Sequence, residues 1–441
     1  MGTQVVVVGA GFSGLAAALA LARAGVRTRV LEARDRVGGR VLTRWLADGT
    51  QLDLGAQWVG PTQDRVNGLL ARYRIATFPS AAHGTSAVLF PDGRHAGVPE
   101  DAGRVLALLD AYAERVDPAA PWTGPEAAEW DRTTLAGWLR AAAPDPATAR
   151  YLGRLLAGGL LAAGPDEISL LQTAFYLRSG GGSRALLAMV GGAQQDRIVG
   201  GPPVLAEALA AALGPDAVRL GAPVRAIGQD DAGVVVHTDS ERVEADAVVV
   251  ALPPTLAGRI RYDPPLPPLR DALTQRMPMG SAIKVHAVYP EPFWRADGRS
   301  GVAFCLAGPV TETVDNSTPE SPRGVLTAFS YGPEANALRR MSPQARQASL
   351  LDALATVVGP AAGRPEEFVE YDWSADEWTR GCFCGAPTLG SWCGYGPELR
   401  QPVGRVHWAG TETATRWAGY LDGAIEAGER AAAEILCRVD R

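Results

Sequence analysis

Lysine is nearly absent from this chain. Of its 42 basic residues only Lys284 is a lysine, and the rest are arginine. Long apolar runs are missing too. None reaches about 18 residues without a charge, and the end is polar over Arg438–Arg441, so no helical membrane span is expected. The first strand is expected at Val5, with only Met-Gly-Thr-Gln ahead of it, which leaves no room for an export signal. Cysteine is scarce and odd in number, five in 441 residues, which fits a reducing, cytoplasmic setting rather than a disulfide framework. Cys382, Cys384 and Cys393 cluster but lack a fourth ligand at a zinc spacing, so no metal is expected. A net charge of −6 argues against nucleic acid or an anionic membrane as partner. No Ser-His-Asp set, paired carboxylates or internal repeat stands out.

What is present begins at residue 5. The run Val5–Val8 reads as a short buried strand, followed by Gly9, Gly11 and Gly14 in G-x-G-x-x-G spacing. An Ala/Leu helix follows and stops at Gly25; a second strand, Val26 to Leu31, ends at Glu32. Gly9 lets the chain turn off the strand. Gly11 lets backbone approach a pyrophosphate at the positive end of the helix, and Gly14 lets helix and strand pack closely. Glu32 stands where an acid bonds ribose hydroxyls and selects against a 2′-phosphate. The extension Arg34–Asp35–Arg36–Val37–Gly38–Gly39–Arg40 favours FAD over NAD, because a longer dinucleotide needs more phosphate donors.

Further along, Gln51–Leu54 reads as a strand, and Gly55–Ala56–Gln57–Trp58 as close backbone beside a flat ring. Residues 78–183 read as mostly helical, with apolar periodicity through Val105–Val116, Leu135–Leu139 and Tyr151–Leu161. Short strands are expected at Ala217–Leu220, Val224–Ile227, Val234–Thr238 and Ala247–Leu252, and a rigid linker at Pro264–Pro268. Ser281–Tyr289, Val302–Leu306 and Val325–Tyr331 alternate like antiparallel strands. Pro343–Val358 reads as a helix capped by Ser342, Val406–Ala409 as a strand and Ala424–Leu436 as a closing helix. The fold class is therefore α/β with a mixed second domain. A discontinuous dinucleotide domain (1–77, 184–273 and 377–441) is interleaved with a substrate domain (78–183 and 274–376).

The stretches LEARDRVGGR, LDLGAQWVGPTQDR, GPPVLAEAL, PPLPPLRDAL, MPMGSAIKV, EPFWR and LRQPVGRVHWAGTETATRWAGYLDGAIEAGERAAAEIL carry a family likeness over nearly the whole length. The chain resembles the flavin-containing monoamine oxidases, and more weakly the polyamine and L-amino-acid oxidases. The resemblance implies a Rossmann-like FAD domain and a sheet-plus-helix domain over the flavin. It puts Glu32 at the adenosine ribose, and Ser13, Arg34 and Arg40 at the phosphates. Gly55–Trp58 and Trp373 would lie along the flavin, Val224 at the adenine end, and Gly410, Thr411, Glu412 and Leu421 (just before the last helix) would complete the pocket. The N-terminus of that helix would face the flavin's carbonyl edge and stabilise the anionic reduced ring.

By the same resemblance, Lys284 would hold a water beside flavin N5 and promote reaction with oxygen, with His286 on the same strand face reading as a satisfied core residue. Phe383 and Tyr420 match an aromatic pair that flanks the substrate amine; phenylalanine replaces the usual tyrosine at the first position. Cys382 matches the site of covalent flavin attachment, which the sequence leaves open. Trp58, Leu171 and Arg178 match positions near the substrate cavity. The expected activity is oxidation of an amine: hydride passes from the α-carbon to flavin N5, O2 reoxidises the flavin and gives H2O2, and the imine is released or hydrolysed to aldehyde. Tailoring of a secondary metabolite is one setting for it. An L-amino-acid oxidase, with Arg178 as carboxylate partner, and a desaturase or dehydrogenase using another acceptor are the alternatives. The family's membrane-anchoring C-terminal helix has no counterpart before Arg441, so the expectation is a soluble enzyme; a homodimer stays open.

Overall fold

The computed structural model describes residues 4–81, 83–93 and 95–439. Met1–Thr3 and the last two residues, Asp440 and Arg441, lie outside them, so the expectations about the chain ends are not addressed. Among the described residues no helix is long and apolar enough to cross a membrane.

The first motif folds because its strand must satisfy two faces. Gln4–Val8 is the middle strand of a parallel five-stranded sheet, ordered Val218–Arg219, Arg27–Leu31, Gln4–Val8, Ala247–Val250, Val406–Trp408. Val5 and Val7 pack on one layer with Leu15, Leu205 and Ile425. Val6 and Val8 pack on the other with Ile227, Val236 and Trp408. A strand buried on both faces needs an unbroken apolar run, which four valines supply. The first layer is the helix Phe12–Arg23 with Pro203–Leu213 and the closing helix, which runs Leu421–Val439 and so starts three residues earlier than expected; Leu421 opens it. The two long helices touch at Gly428, where a Cβ would stand 2.1 Å from the Ser13 carbonyl oxygen. The other layer is the sheet of Val224–Gln229, Val234–Thr238, Arg242–Ala245 and Arg261–Asp263.

The second sheet has seven strands, ordered Glu367–Asp372, Ala282–Tyr289, Gly324–Tyr331, Glu312–Asp315, Arg299–Cys305, Thr85–Leu89, His95–Ala96. In Ala282–Tyr289 the period of two divides the roles. Ile283, Val285 and Ala287 pack against Leu350, Leu354 and Val357 of the helix Pro343–Val358. Lys284 and His286 turn to the opposite face. The Ser342 hydroxyl caps that helix by accepting from the Ala345 N–H at 3.2 Å.

The span 78–183 is mostly helical as expected, and it also carries Thr85–Leu89, which pairs in parallel with Arg299–Cys305, a partner more than 200 residues away that local periodicity does not reveal. One local expectation needs correction. Pro264–Pro268 is not all linker, since Pro268 is the first residue of a helix, Pro268–Thr274. Within the helical region the helix Pro146–Gly153 runs on into a π-helical turn, Arg154–Gly159, beside a cavity lined by Leu155 and Gly159.

Candidate active site

One cavity of about 610 Å³ runs between the two sheets. Gly9, Gly11, Ser13, Glu32, Arg34, Gly39, Arg40 and Val224 line it at the parallel sheet. Gly55, Ala56, Gln57, Trp58, Trp373, Lys284, Cys382, Phe383, Gly410, Thr411, Tyr420 and Leu421 line it where the two sheets approach. Gly14 and Glu412 are not on the wall. Gly14 packs behind it, where a Cβ would meet the Gly9 carbonyl oxygen at 1.9 Å. Glu412 is buried behind the wall and braces it.

The dinucleotide end is a cradle of backbone. Gly9 has φ +98°, and a Cβ on Gly39 would lie 3.3 Å from the Gly11 Cα. Gly11 is the N-cap of Phe12–Arg23; no side chain caps that helix and its first turn holds no acid, so its free N–H groups suit a pyrophosphate. Glu32 accepts from the N–H of Ala10 at 2.7 Å and of Arg34 at 2.9 Å, which locks the acid at the end of its strand. These features fit FAD. The two arginines expected at phosphates already have partners. Arg34 pairs with Asp376 at 2.5 Å, and Arg40 donates to Glu412 and to the Phe383 carbonyl, both at 2.7 Å. Ser13 Oγ accepts from the Gly410 N–H at 2.8 Å and so ties the first helix to the last block. Arg36, which the sequence did not single out, donates to the carbonyls of Val37, Gly39 and Val41 and staples the glycine loop. Its only sequence signal is its place in the Arg-rich extension.

At the other end Phe383 has φ +55°, a strained value for a side chain with a Cβ. The Arg40–Glu412 pair holds it there, with Glu412 also accepting from the Gly385 N–H at 3.1 Å. Phe383 meets the edge of Tyr331 at 5.6 Å, and Tyr331 stacks on Phe329 at 5.7 Å. Tyr420 neighbours Tyr176 at 6.1 Å, and burial pushes both phenols up in pKa. Cys382 Sγ donates to the Gly280 carbonyl at 3.4 Å and is buried, which raises its thiol pKa.

Lys284 is 5% exposed. Its Nζ donates to the Gly55 carbonyl at 3.0 Å and to Gln57 Oε1. Burial pulls its pKa down to about 7. His286 lies against the Asp53 carbonyl (Nε2, 3.0 Å) and Thr327 Oγ1 (Nδ1, 2.8 Å). A carbonyl only accepts, so Nε2 carries the proton and Nδ1 accepts from the threonine. Burial and Lys284 keep this ring neutral, the satisfied core histidine that was expected.

Two expectations fail. Arg178, in the last turn of the helix Leu170–Ser179, faces solvent while the rest of that helix is buried, so it does not reach the cavity. Leu171 is buried in the helical core and does not line it either. Glu312 is a charged lining residue the sequence did not flag. It projects from Glu312–Asp315 into the cavity, and its carboxylate accepts from the Tyr331 hydroxyl. It is half-buried on the cavity wall, and desolvation raises its pKa despite the phenol bond. Nothing local marks it, because it reaches the site by strand pairing with Gly324–Tyr331.

Residues 12–436 match the family described as flavin containing amine oxidoreductase. The chain belongs to this family. It is 37% identical to the putrescine oxidase of Kocuria rosea, over 98% of this chain and 95% of that one. It is 36% identical to an L-amino acid dehydrogenase of Synechocystis, over 98% and 94%. A solved structure of wild-type putrescine oxidase bound to putrescine superposes with a TM-score of 0.95 at 36% identity, covering 99% of this chain and all of that one. The protein is thus an FAD-dependent amine oxidoreductase acting on CH–NH bonds, with the parallel sheet as its flavin-binding part.

Proposed function

We propose that this enzyme oxidises a diamine, or an amine with a second cationic group, and that Glu312 receives the distal cation. The observation that carries this reading is a half-buried, desolvated carboxylate on the wall of a mostly apolar cavity, with one phenol as its only hydrogen-bond partner among the described residues. A desolvated anion of this kind is costly unless a cation joins it, and a substrate ammonium is that cation. The putrescine bound in the related structure is a diamine, which agrees.

FAD, held along the cavity by its lining residues, would supply the two-electron acceptor for the C–H bond beside the substrate amine, with O2 as the final acceptor and H2O2 as its product. The chain's own groups bind and orient. Phe383 and Tyr420 would flank the reacting amine, which must be neutral to release hydride. Phe383 brings no hydroxyl, so alignment rests on Tyr420 and on the grip at Glu312. The buried aromatic walls exclude water. Lys284 would keep a buried donor on the cavity wall toward the flavin ring. The backbone cradle, Glu32 and the N-terminus of Phe12–Arg23 would hold the dinucleotide, and the start of Leu421–Val439 the flavin ring. Cys382 is the only cysteine among the described lining residues, and we assign a thioether to the flavin there. The yellow holoenzyme should be titrated anaerobically with α,ω-diamines of increasing length, matched monoamines and amino acids. Rapid bleaching by a diamine, reversed by air with peroxide release, is expected. Equal bleaching by monoamines of the same length would refute the role of Glu312, and bleaching by amino acids alone would restore the amino-acid reading.

A further inference from the structure

Lys284 sits at one end of a buried polar chain. Gln57, which accepts from Nζ, donates through Nε2 to Asn316 Oδ1 at 2.8 Å. The Asn316 carbonyl accepts from Arg197 Nη1 at 2.7 Å, and Arg197 Nη2 pairs with Asp53 Oδ2 at 2.7 Å. Thr43 and Gln51 complete the shell of Asp53. Both partners of Nζ are therefore uncharged oxygens, and the nearby acid is committed to an arginine. Of the acids on the flanking strand Glu367–Asp372, Asp372 and Glu370 pair with Ile283 and Val285 on the opposite face and are held by Arg339 and Arg346, and Glu367 stands opposite Val288, four residues along from Lys284. Phe329 sets its ring 5.2 Å from Nζ, and Tyr371, opposite Lys284 on the other side, is held as the neutral phenol by burial and Asp376. His286 is neutral. The charges of the cluster are Lys284, Arg197 and Asp53.

We propose that Asp53 and Arg197 are positioning residues for Lys284. They cancel each other's charge, aim Gln57 through Asn316, leave the lysine without a counter-ion, and so set the pH range in which the enzyme reacts rapidly with O2. The inference rests on the reading of Lys284 as the group beside the flavin. Burial lowers the lysine's pKa most, while Asp53 raises it and Arg197 lowers it, so the pair acts on it with opposite signs. Below the midpoint the group is an ammonium that favours charge forming on oxygen; above it that help is lost.

Because Lys284 is the only lysine, holoenzyme grown on 13Cε-lysine gives a single lysine signal whose titration reads this residue alone. The wild-type midpoint is expected near 7. Asp53→Asn should move it down and Arg197→Met up, each by about 1 pH unit or more, with the fall in anaerobically reduced enzyme's O2 reactivity moving alongside. The double variant strands no charge, folds where a single one fails, and should titrate near the wild type. Single variants shifted in one direction or not at all, a double variant displaced as far as a single, or a moved midpoint with an unmoved O2 profile would each overturn the proposal. The signal needs no substrate, so a wrong diamine assignment leaves it intact, and a protein that holds no flavin would instead fail the functional reading.

Discussion

Replacing Glu312 by glutamine tests the substrate assignment with the least disturbance. The amide keeps the volume and the acceptor for the Tyr331 hydroxyl, and it removes the charge. A hydrogen bond to a charged group contributes about 1.5–3 kcal/mol, and a buried, hydrogen-bonded ion pair about 2–5 kcal/mol when one partner is truncated. Because the site is desolvated but keeps the phenol bond, about 2–4 kcal/mol is the expected loss for a diamine, or about 30- to 1000-fold in kcat/KM. A monoamine of the same length has nothing to pair with Glu312 and should gain or stay level, since the variant no longer buries an anion beside its tail. The wild type should also lose diamine activity as pH falls through the raised Glu312 pKa, because the protonated acid no longer attracts a cation. In Glu312→Gln that acidic limb should vanish. The assay is kcat/KM against pH for a diamine and its monoamine analogue, followed by peroxide release. Equal losses for both substrates, or an acidic limb that persists, would refute the reasoning.

Lys284→Met should leave anaerobic bleaching by substrate within a few-fold and slow reoxidation by O2 about 100- to 1000-fold, read by stopped-flow absorbance. Cys382→Ala should release flavin on acid precipitation, whereas wild-type protein should precipitate yellow. Gly428→Ala drives a Cβ into the Ser13 carbonyl, and should cost about 1–3 kcal/mol in thermal or denaturant unfolding and weaken FAD retention. Glu412→Gln removes the charge that holds Arg40 against the Phe383 carbonyl. It should relax the strained loop and lower kcat more than it lowers the melting temperature, measured side by side.

Much of the fold was legible because its signals are local. The Val5–Val8 run, the glycine spacing and Glu32 lie within 28 residues and dictate a strand, a turn and a helix by sterics and charge alone. The helix Pro343–Val358 was readable from Ser342 and Pro343, since a cap and a fixed φ act on the nearest backbone. Lys284 stood out by being the sole lysine, in a strand whose alternation could be counted. Arg178 misled because the resemblance matched its position without saying which face of the helix Leu170–Ser179 meets the cavity, and its side chain lies on the solvent face.

What only the tertiary structure decided is how distant charges meet. Glu312 becomes a candidate cation receptor only once its strand pairs beside Tyr331 and the aromatic walls remove water. Arg34 and Arg40, on the cavity wall, are paired by the fold with Asp376 and Glu412, more than 340 residues away in the chain. The poise of Lys284 depends on Asp53 and Arg197 arriving from two other segments. Backbone geometry is set by neighbours in sequence, so the sequence by itself determined the motif and the family. Proton affinity and substrate choice depend on burial and on through-space charge, which exist only after the chain has folded.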